Sequence, residues 1–263
     1  MTKPTSLTFS KTARAFWIAV VASGFLASAI NIRQLIVSPP GSEWLWMTVL
    51  TLVSGFLSVK FQSVGARYSV SETFVIWGTL VHGAEVGTVL VLLDAAVLSG
   101  KICYSKRRFD WNRTAFNLAA PPLSVWLAAQ ALFSITGPPP LQLEDGAFVF
   151  VVGLSVFAVL YFLVNSSLVA MAIALTQGKV RTTVARDFAV TWWGIRDGFL
   201  TYFAGASIAA LLASRDGIFA QILVILPLMT MLYFTYRNSA SRVEEMQGRI
   251  DAIEKVHMST IAA

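Results

Sequence analysis

Apolar residues run along this chain in eight successive stretches, about 15–34, 43–60, 70–82, 85–101, 114–135, 147–175, 197–213 and 217–236. A helix that crosses a bilayer needs roughly 20 mostly apolar residues, with roughly 17 as a working minimum. Several stretches meet that minimum and several are marginal. The third and fourth are short, separated only by the Val81-His82-Gly83-Ala84-Glu85 turn. They form either two tilted spans or a helical hairpin that does not fully cross. The choice leaves the rest of the map unchanged, because a re-entrant hairpin starts and ends on one side. The pattern predicts an all-α polytopic bundle of about eight spans. A segment (1–14) precedes the transmembrane bundle (15–236), and a linker or coiled-coil helix (237–263) follows it.

Composition supports a bilayer as the solvent, since 56% of the residues are hydrophobic and only 13% are charged. The formal charge of +6 would also fit a nucleic-acid binder, but the basic residues are dispersed at helix ends rather than clustered on a groove. No nucleic-acid partner is expected. Of the 20 Lys and Arg residues, 18 fall in alternate gaps, leaving only Arg33 and Arg215 in the others. The richest gap holds Lys101, Lys106, Arg107, Arg108 and Arg113, whereas the gap from Gly137 to Asp145 has none. By the positive-inside rule both termini are cytoplasmic, and the protein is a multi-pass protein of a bacterial inner membrane. Trp17, Trp44, Trp46, Trp111, Trp192 and Trp193 fall at predicted boundaries, where an aromatic belt would place them. Ala27-Ser28-Ala29 would fit a signal-peptide cleavage site, but the apolar run continues through Ile30 and Ile32, so the first span is expected to be retained.

After Tyr236 the character changes, with four basic and four acidic residues from Arg237 to Ala263. Val243, Met246, Ile250 and Ile253 follow a 3-4-3 spacing, the seam of an amphipathic or coiled-coil helix. His257 and Thr260 continue the register poorly, so a solvated helical tail is the alternative. The coiled-coil reading makes a homodimer through this helix the expected assembly.

Ionisable groups inside a membrane are costly and therefore functional candidates. Asp94 lies inside the fourth stretch, Glu72 opens the third, and Arg113 and Asn117 stand four apart, hence on one helix face, at the start of the fifth. With Asn165 in the sixth they form a candidate ligand-binding or polar cluster. The structural alternatives are an Asp94–Arg113 lock between helices and interhelical hydrogen bonding by Asn165. His82 and Glu85 are too few for a metal site. Gly83-x-x-x-Gly87 and Gly194-x-x-x-Gly198 allow close helix approach, and Pro121-Pro122 and Pro227 interrupt spans. Cys103 is the one cysteine, and His82 and His257 are the only histidines. Intramolecular disulfides, thiolate clusters and multi-histidine metal centres are thus excluded, and no cofactor is expected. No phosphate-binding loop, zinc-protease motif or nucleophile elbow occurs, so no catalytic residue is expected.

The stretches SETFVIWGTLVHGAEVGTVLVLLDA, RTAFNLAAPPLSVWLAA, YFLVNSSLVA and YFAGASIAALLA resemble the N-terminal membrane module of bacterial sensor proteins that carry cytoplasmic HD-GYP or GGDEF domains. RVEEM and IEKVHMSTIAA resemble the linker helix leading into an HD-GYP phosphodiesterase domain. The resemblance implies an input module for cyclic di-GMP signalling. It would recognise a small or lipophilic signal and pass it to a cytoplasmic output domain or partner. The output domain's metal-binding His and Asp residues have no counterpart here, so the resemblance assigns no enzymatic role to any residue of this chain. A small-molecule transporter or substrate-capture membrane subunit is the competing reading, and a membrane scaffold a third. Reporter fusions test the topology: fusion after Glu144 should report the outside, and fusion after Arg107 or Met246 the cytoplasm. A reversed result at Arg107 overturns the map.

Overall fold

The computed structural model describes residues 11–56, 59–60, 67–68, 71–106, 109–141, 147–177, 181–195, 202, 205–206, 208–209, 246, 248 and 250. Among these, seven helices follow one another: α1 (Lys11–Val37), α2 (Trp44–Phe56), α3 (Ser71–His82), α4 (Ala84–Lys106), α5 (Trp111–Thr136), α6 (Ala147–Gln177) and α7 (Arg181–Ile195). Four of them, α1, α4, α5 and α6, are long and apolar enough to cross a membrane. Most of the seventh and eighth predicted spans, and of the 237–263 helix, lie outside the described residues.

What α1 buries and exposes argues for lipid independently of hydropathy. Its buried positions are Ala13, Val20, Gly24, Ala27, Ser28 and Asn31. Its exposed ones include Ile18, Phe25, Leu26 and Ile30. In water such a helix would be inside out, because small residues face the protein and large apolar ones face away. In a bilayer this is the favoured arrangement, since lipid solvates the large side chains while small ones let backbones approach. The buried polar groups are satisfied locally: Ser28 Oγ–H donates to the Gly24 carbonyl at 2.8 Å and Asn31 Nδ2–H to the Ala27 carbonyl at 2.7 Å. At Gly24 the backbones of α1 and α5 come so close that a Cβ would run into the Ala119 carbonyl.

Hydrogen bonds between elements sort the helix ends into two groups. At one end Trp17 Nε1–H donates to the Asn112 carbonyl at 3.0 Å, and Lys101 Nζ–H to the Gly55 carbonyl at 3.4 Å. These join the starts of α1 and α5, and the ends of α2 and α4. At the other end the Leu141 N–H donates to the Leu80 carbonyl at 3.0 Å, and Pro139 sits against Gly83. The chain therefore zigzags, and the gaps after α2 and α4, both rich in basic residues, share an end with the start of α1.

Helices α2 and α3 are short, 13 and 12 residues, or about 20 and 18 Å at 1.5 Å per residue. A hydrocarbon core is about 30 Å thick. They enter from the Leu80 end and stop beside the middle of α4. There Gly55 faces Asp94, whose Oδ1 would be 2.7 Å from a Cβ at that position. The predicted second span, 43–60, thus ends as a helix at Phe56. It gives way to a two-residue antiparallel ladder, with Val59 opposite Tyr68 and Lys60 opposite Arg67. This pairing is the one departure from all-helical structure among the described residues. Such a ladder supplies partners to backbone groups that a broken helix leaves open.

Two further boundaries moved. The fourth helix runs on to Lys106 rather than ending at Lys101, which places Lys101 on the helix that carries Asp94. The expected charged gap between the sixth and seventh spans is largely the helix α7. Its Val184, Phe188 and Trp192 recur every four residues and are half-buried, while Ala185, Arg186, Ala189 and Val190 are exposed. The Trp192 indole packs on Phe162 and donates to Ser167 Oγ at 3.3 Å, folding α7 back along α6.

The Gly83–Gly87 pair divides into two functions. Gly83 adopts φ +101° in the α3–α4 turn, a conformation that disfavours other residues. Gly87 lets α3 approach, since a Cβ there would collide with Thr79. Replacing Gly24 by Leu should lower the unfolding free energy in detergent by roughly 1–3 kcal/mol through overpacking against α5. Gly100→Ala, where a Cβ meets nothing, should leave the unfolding midpoint unchanged or slightly raised. Equal midpoints for the two variants would refute the close α1–α5 contact.

Candidate functional site

The first turn of α3 and the middle of α4 bring two carboxyl groups together inside the bundle. Ser71 is 1% exposed and Asp94 9%, although α3 begins there and its first N–H groups lack intrahelical acceptors. A buried helix start needs acceptors, and a carboxylate beside it is favoured by the helix dipole. Asp94 lies beside that start, next to the Ser71 side chain. Lys101, seven residues on along α4 and so on the same face, is the cation acting on Asp94.

Glu72 follows Ser71 and turns to α6, where the Tyr161 hydroxyl donates to its carboxylate. The two carboxylates are near enough to repel one another. Each keeps one oxygen, Glu72 Oε2 and Asp94 Oδ1, shielded from solvent and without a hydrogen-bond partner among the described residues. Uncompensated buried charge is expensive, so these oxygens demand a proton, a cation or a donor.

Tyr161 extends the cluster. Its ring meets that of Tyr202 edge-on at 4.7 Å and lies 5.9 Å from Phe157. The Asn165 Nδ2–H donates to the Tyr202 hydroxyl at 2.9 Å, and Phe162 packs at 5.6 Å from Tyr202. Gly205, three residues beyond Tyr202, approaches Thr73 and Ile76 of α3. A continuous set of contacts thus leads from the acid pair to the part of the chain that follows α7.

Of the five residues predicted for the cluster, Glu72 and Asp94 come together, and Asn165 joins them through Tyr202 and Tyr161. Arg113 does not take the expected place. It is exposed in the first turn of α5, where its backbone N–H donates to the Asp110 cap at 3.3 Å. Lys101 acts on Asp94 instead, because α4 continues past the predicted boundary. Asn117 is half-buried on α5. Pro121 has no N–H to give the Asn117 carbonyl, so this turn lacks one helical hydrogen bond.

Neither protein-family models, curated proteins nor solved structures yield a match to the chain. The residues that sequence reasoning passed over are Ser71, Gly55, Lys101, Tyr161 and Tyr202. Tyr161 and Tyr202 each open one of the stretches quoted above, and a tyrosine within an apolar run is a usable signal, because its hydroxyl needs a partner. His82 and Glu85 sit at the opposite end, and among the described residues no three His, Cys, Asp or Glu side chains are placed to hold a metal ion.

The Glu72–Tyr161 bond can be weighed by a double-mutant cycle. Tyr161→Phe and Glu72→Gln should each destabilise the protein in detergent, with a coupling of about 1.5–3 kcal/mol, the range for a hydrogen bond to a charged group. Strictly additive effects would show that the bond contributes nothing.

Proposed function

We propose that the chain is a signal-input module of the bacterial inner membrane. In this reading its bundle recognises a small or lipophilic signal at the Glu72–Asp94 cluster and relays it through the terminal helix to a cytoplasmic output. The observation that carries the reading is the set of contacts from the acid pair through Tyr161 to Tyr202 and Asn165. A change at the carboxylates would be felt by the segment leading to the C-terminal residues. A purely structural lock would need no such connection. Met246 and Ile250, two of the four seam residues, are helical and exposed, which leaves them available to a second copy and supports a homodimeric coiled-coil relay.

Orientation with both termini in the cytoplasm follows from the positive-inside rule applied to the end where the basic gaps meet. The identity of the output, an HD-GYP-type cyclic di-GMP phosphodiesterase, rests on the quoted sequence resemblance alone. A second reading, a small-molecule transporter or capture subunit, draws on α3, whose start is buried in the bundle beside two carboxylates. Broken helices of that kind build substrate sites in transporters.

The test fuses a cyclic di-GMP phosphodiesterase output domain to the full chain and compares wild type with Asp94→Asn and Tyr202→Phe. The input reading expects both substitutions to shift output activity at equal expression, with the module dimeric in nanodiscs. A strictly monomeric module whose output ignores Asp94 would sink it. Uptake into proteoliposomes abolished by Asp94→Asn would establish the transporter instead.

A further inference from the structure

The acid pair also limits the chemistry of what it binds. Resting on the reading of this cluster as the input site, we propose that its ligand is a small organic cation with N–H donors, an alkylammonium compound, held by Glu72 Oε2 and Asp94 Oδ1.

Three observations lead there. The two carboxylate oxygens left without a partner are acceptors, as is the Oδ1 of Asn165, which also lacks one. A ligand completing the site must therefore bring donors, because a further acceptor would deepen the deficit. Charge points the same way. Lys101 acts on Asp94, while around Glu72 the structure sets a tyrosine hydroxyl and a second carboxylate. Among the described residues no cation is set against Glu72, so a ligand's positive charge would meet attraction there and no like charge.

A metal ion is a poor candidate for it. Calcium takes six to eight oxygens and magnesium a strict octahedron, but no third carboxylate, histidine or cysteine joins the pair among the described residues. The carbonyl of Gly55, the residue that faces Asp94 from α2, already accepts from Lys101 at 3.4 Å. An ammonium group carries its own hydrogens and needs only the two acceptors. The surroundings suit its organic part, because Tyr161, Tyr202, Phe157 and Phe162 form a run of rings with centroids 4.7–5.9 Å apart. Aromatic rings attract cations and accommodate alkyl chains. Lys101 shows that the neighbourhood takes an ammonium on an alkyl stem, with its nitrogen on Gly55 and its charge acting on Asp94.

The experiment uses the full chain in nanodiscs and measures heat of binding and thermal unfolding with four probes at matched ionic strength. These are n-butylammonium chloride, the neutral isostere n-butanol, sodium chloride and calcium chloride. Saturable binding and a raised unfolding temperature are expected with n-butylammonium only, weakened at least about tenfold in Glu72→Gln, as for loss of a charge-assisted hydrogen bond. The wild-type comparison alone decides the matter if that variant fails to fold. Equal effects of n-butanol and n-butylammonium overturn the proposal, as does a response confined to calcium or no saturable binding at all. Absent ammonium binding with Asp94-dependent output intact removes this proposal and leaves the input reading. Ammonium binding with an indifferent output does the reverse.

Discussion

Everything about the middle of this bundle is conditioned by the need to keep two carboxyl groups out of water and away from lipid. Asp94 stands half-way along a helix long enough to cross a bilayer, where an unanswered charge would cost several kcal/mol. The fold answers it from three sides. A helix starts beside it, a lysine reaches back along its own helix, and a serine side chain lies next to it. The start of α3 in mid-bundle presents the positive end of a helix dipole, which favours a carboxylate beside it. The carboxylate and the broken helix each remove part of the other's cost.

Close backbone contact keeps that arrangement dry. Gly24 lets α1 lie on α5, Gly87 lets α3 lie on α4, and Gly55 leaves room for the Asp94 carboxylate against α2. Hydrophobic burial does not drive these contacts inside a bilayer, because lipid tails solvate leucine as well as protein does. Packing of small surfaces and satisfied hydrogen bonds must do so. The same logic explains why α1 and α6 direct large apolar residues such as Leu26, Phe148 and Val151 outward.

Much of the architecture was legible in the sequence because hydropathy and charge act over whole segments. The first six helices lie where the apolar stretches put them, and the alternation of ends follows the alternation of basic gaps. Boundaries were less legible. Lys101 was counted as a loop charge because a hydropathy run ends where the first lysine appears, yet a helix continues as long as its backbone bonds are made and the side chain can reach a polar partner. The same error hid α7, whose arginines and threonines look like a loop until Val184, Phe188 and Trp192 are seen to share one face. The cluster was half legible. Isolated acids in apolar runs announce themselves by their cost, whereas choosing Lys101 over Arg113 depends on which helix face meets which neighbour, and one sequence does not contain that.

The tyrosines change what the acid pair can do. Two carboxylates locked only to a lysine and a serine would make a rigid rivet between α3 and α4, without consequence for the rest of the chain. Tyr161 instead divides its contacts between Glu72 and Tyr202, and Tyr202 accepts a hydrogen bond from Asn165 on α6 while packing in the core. A hydroxyl that donates to a carboxylate has a weaker acceptor once that carboxylate's charge is offset by a proton or a cation. Tyr161 would then be freer to re-aim its O–H, and the ring of Tyr202, in the segment that leads toward the C-terminal residues, lies against its own. A binding event confined to Glu72 thus has a physical route to Tyr202 that involves re-aiming one phenolic O–H rather than displacement of a helix, which a tightly packed bundle can accommodate.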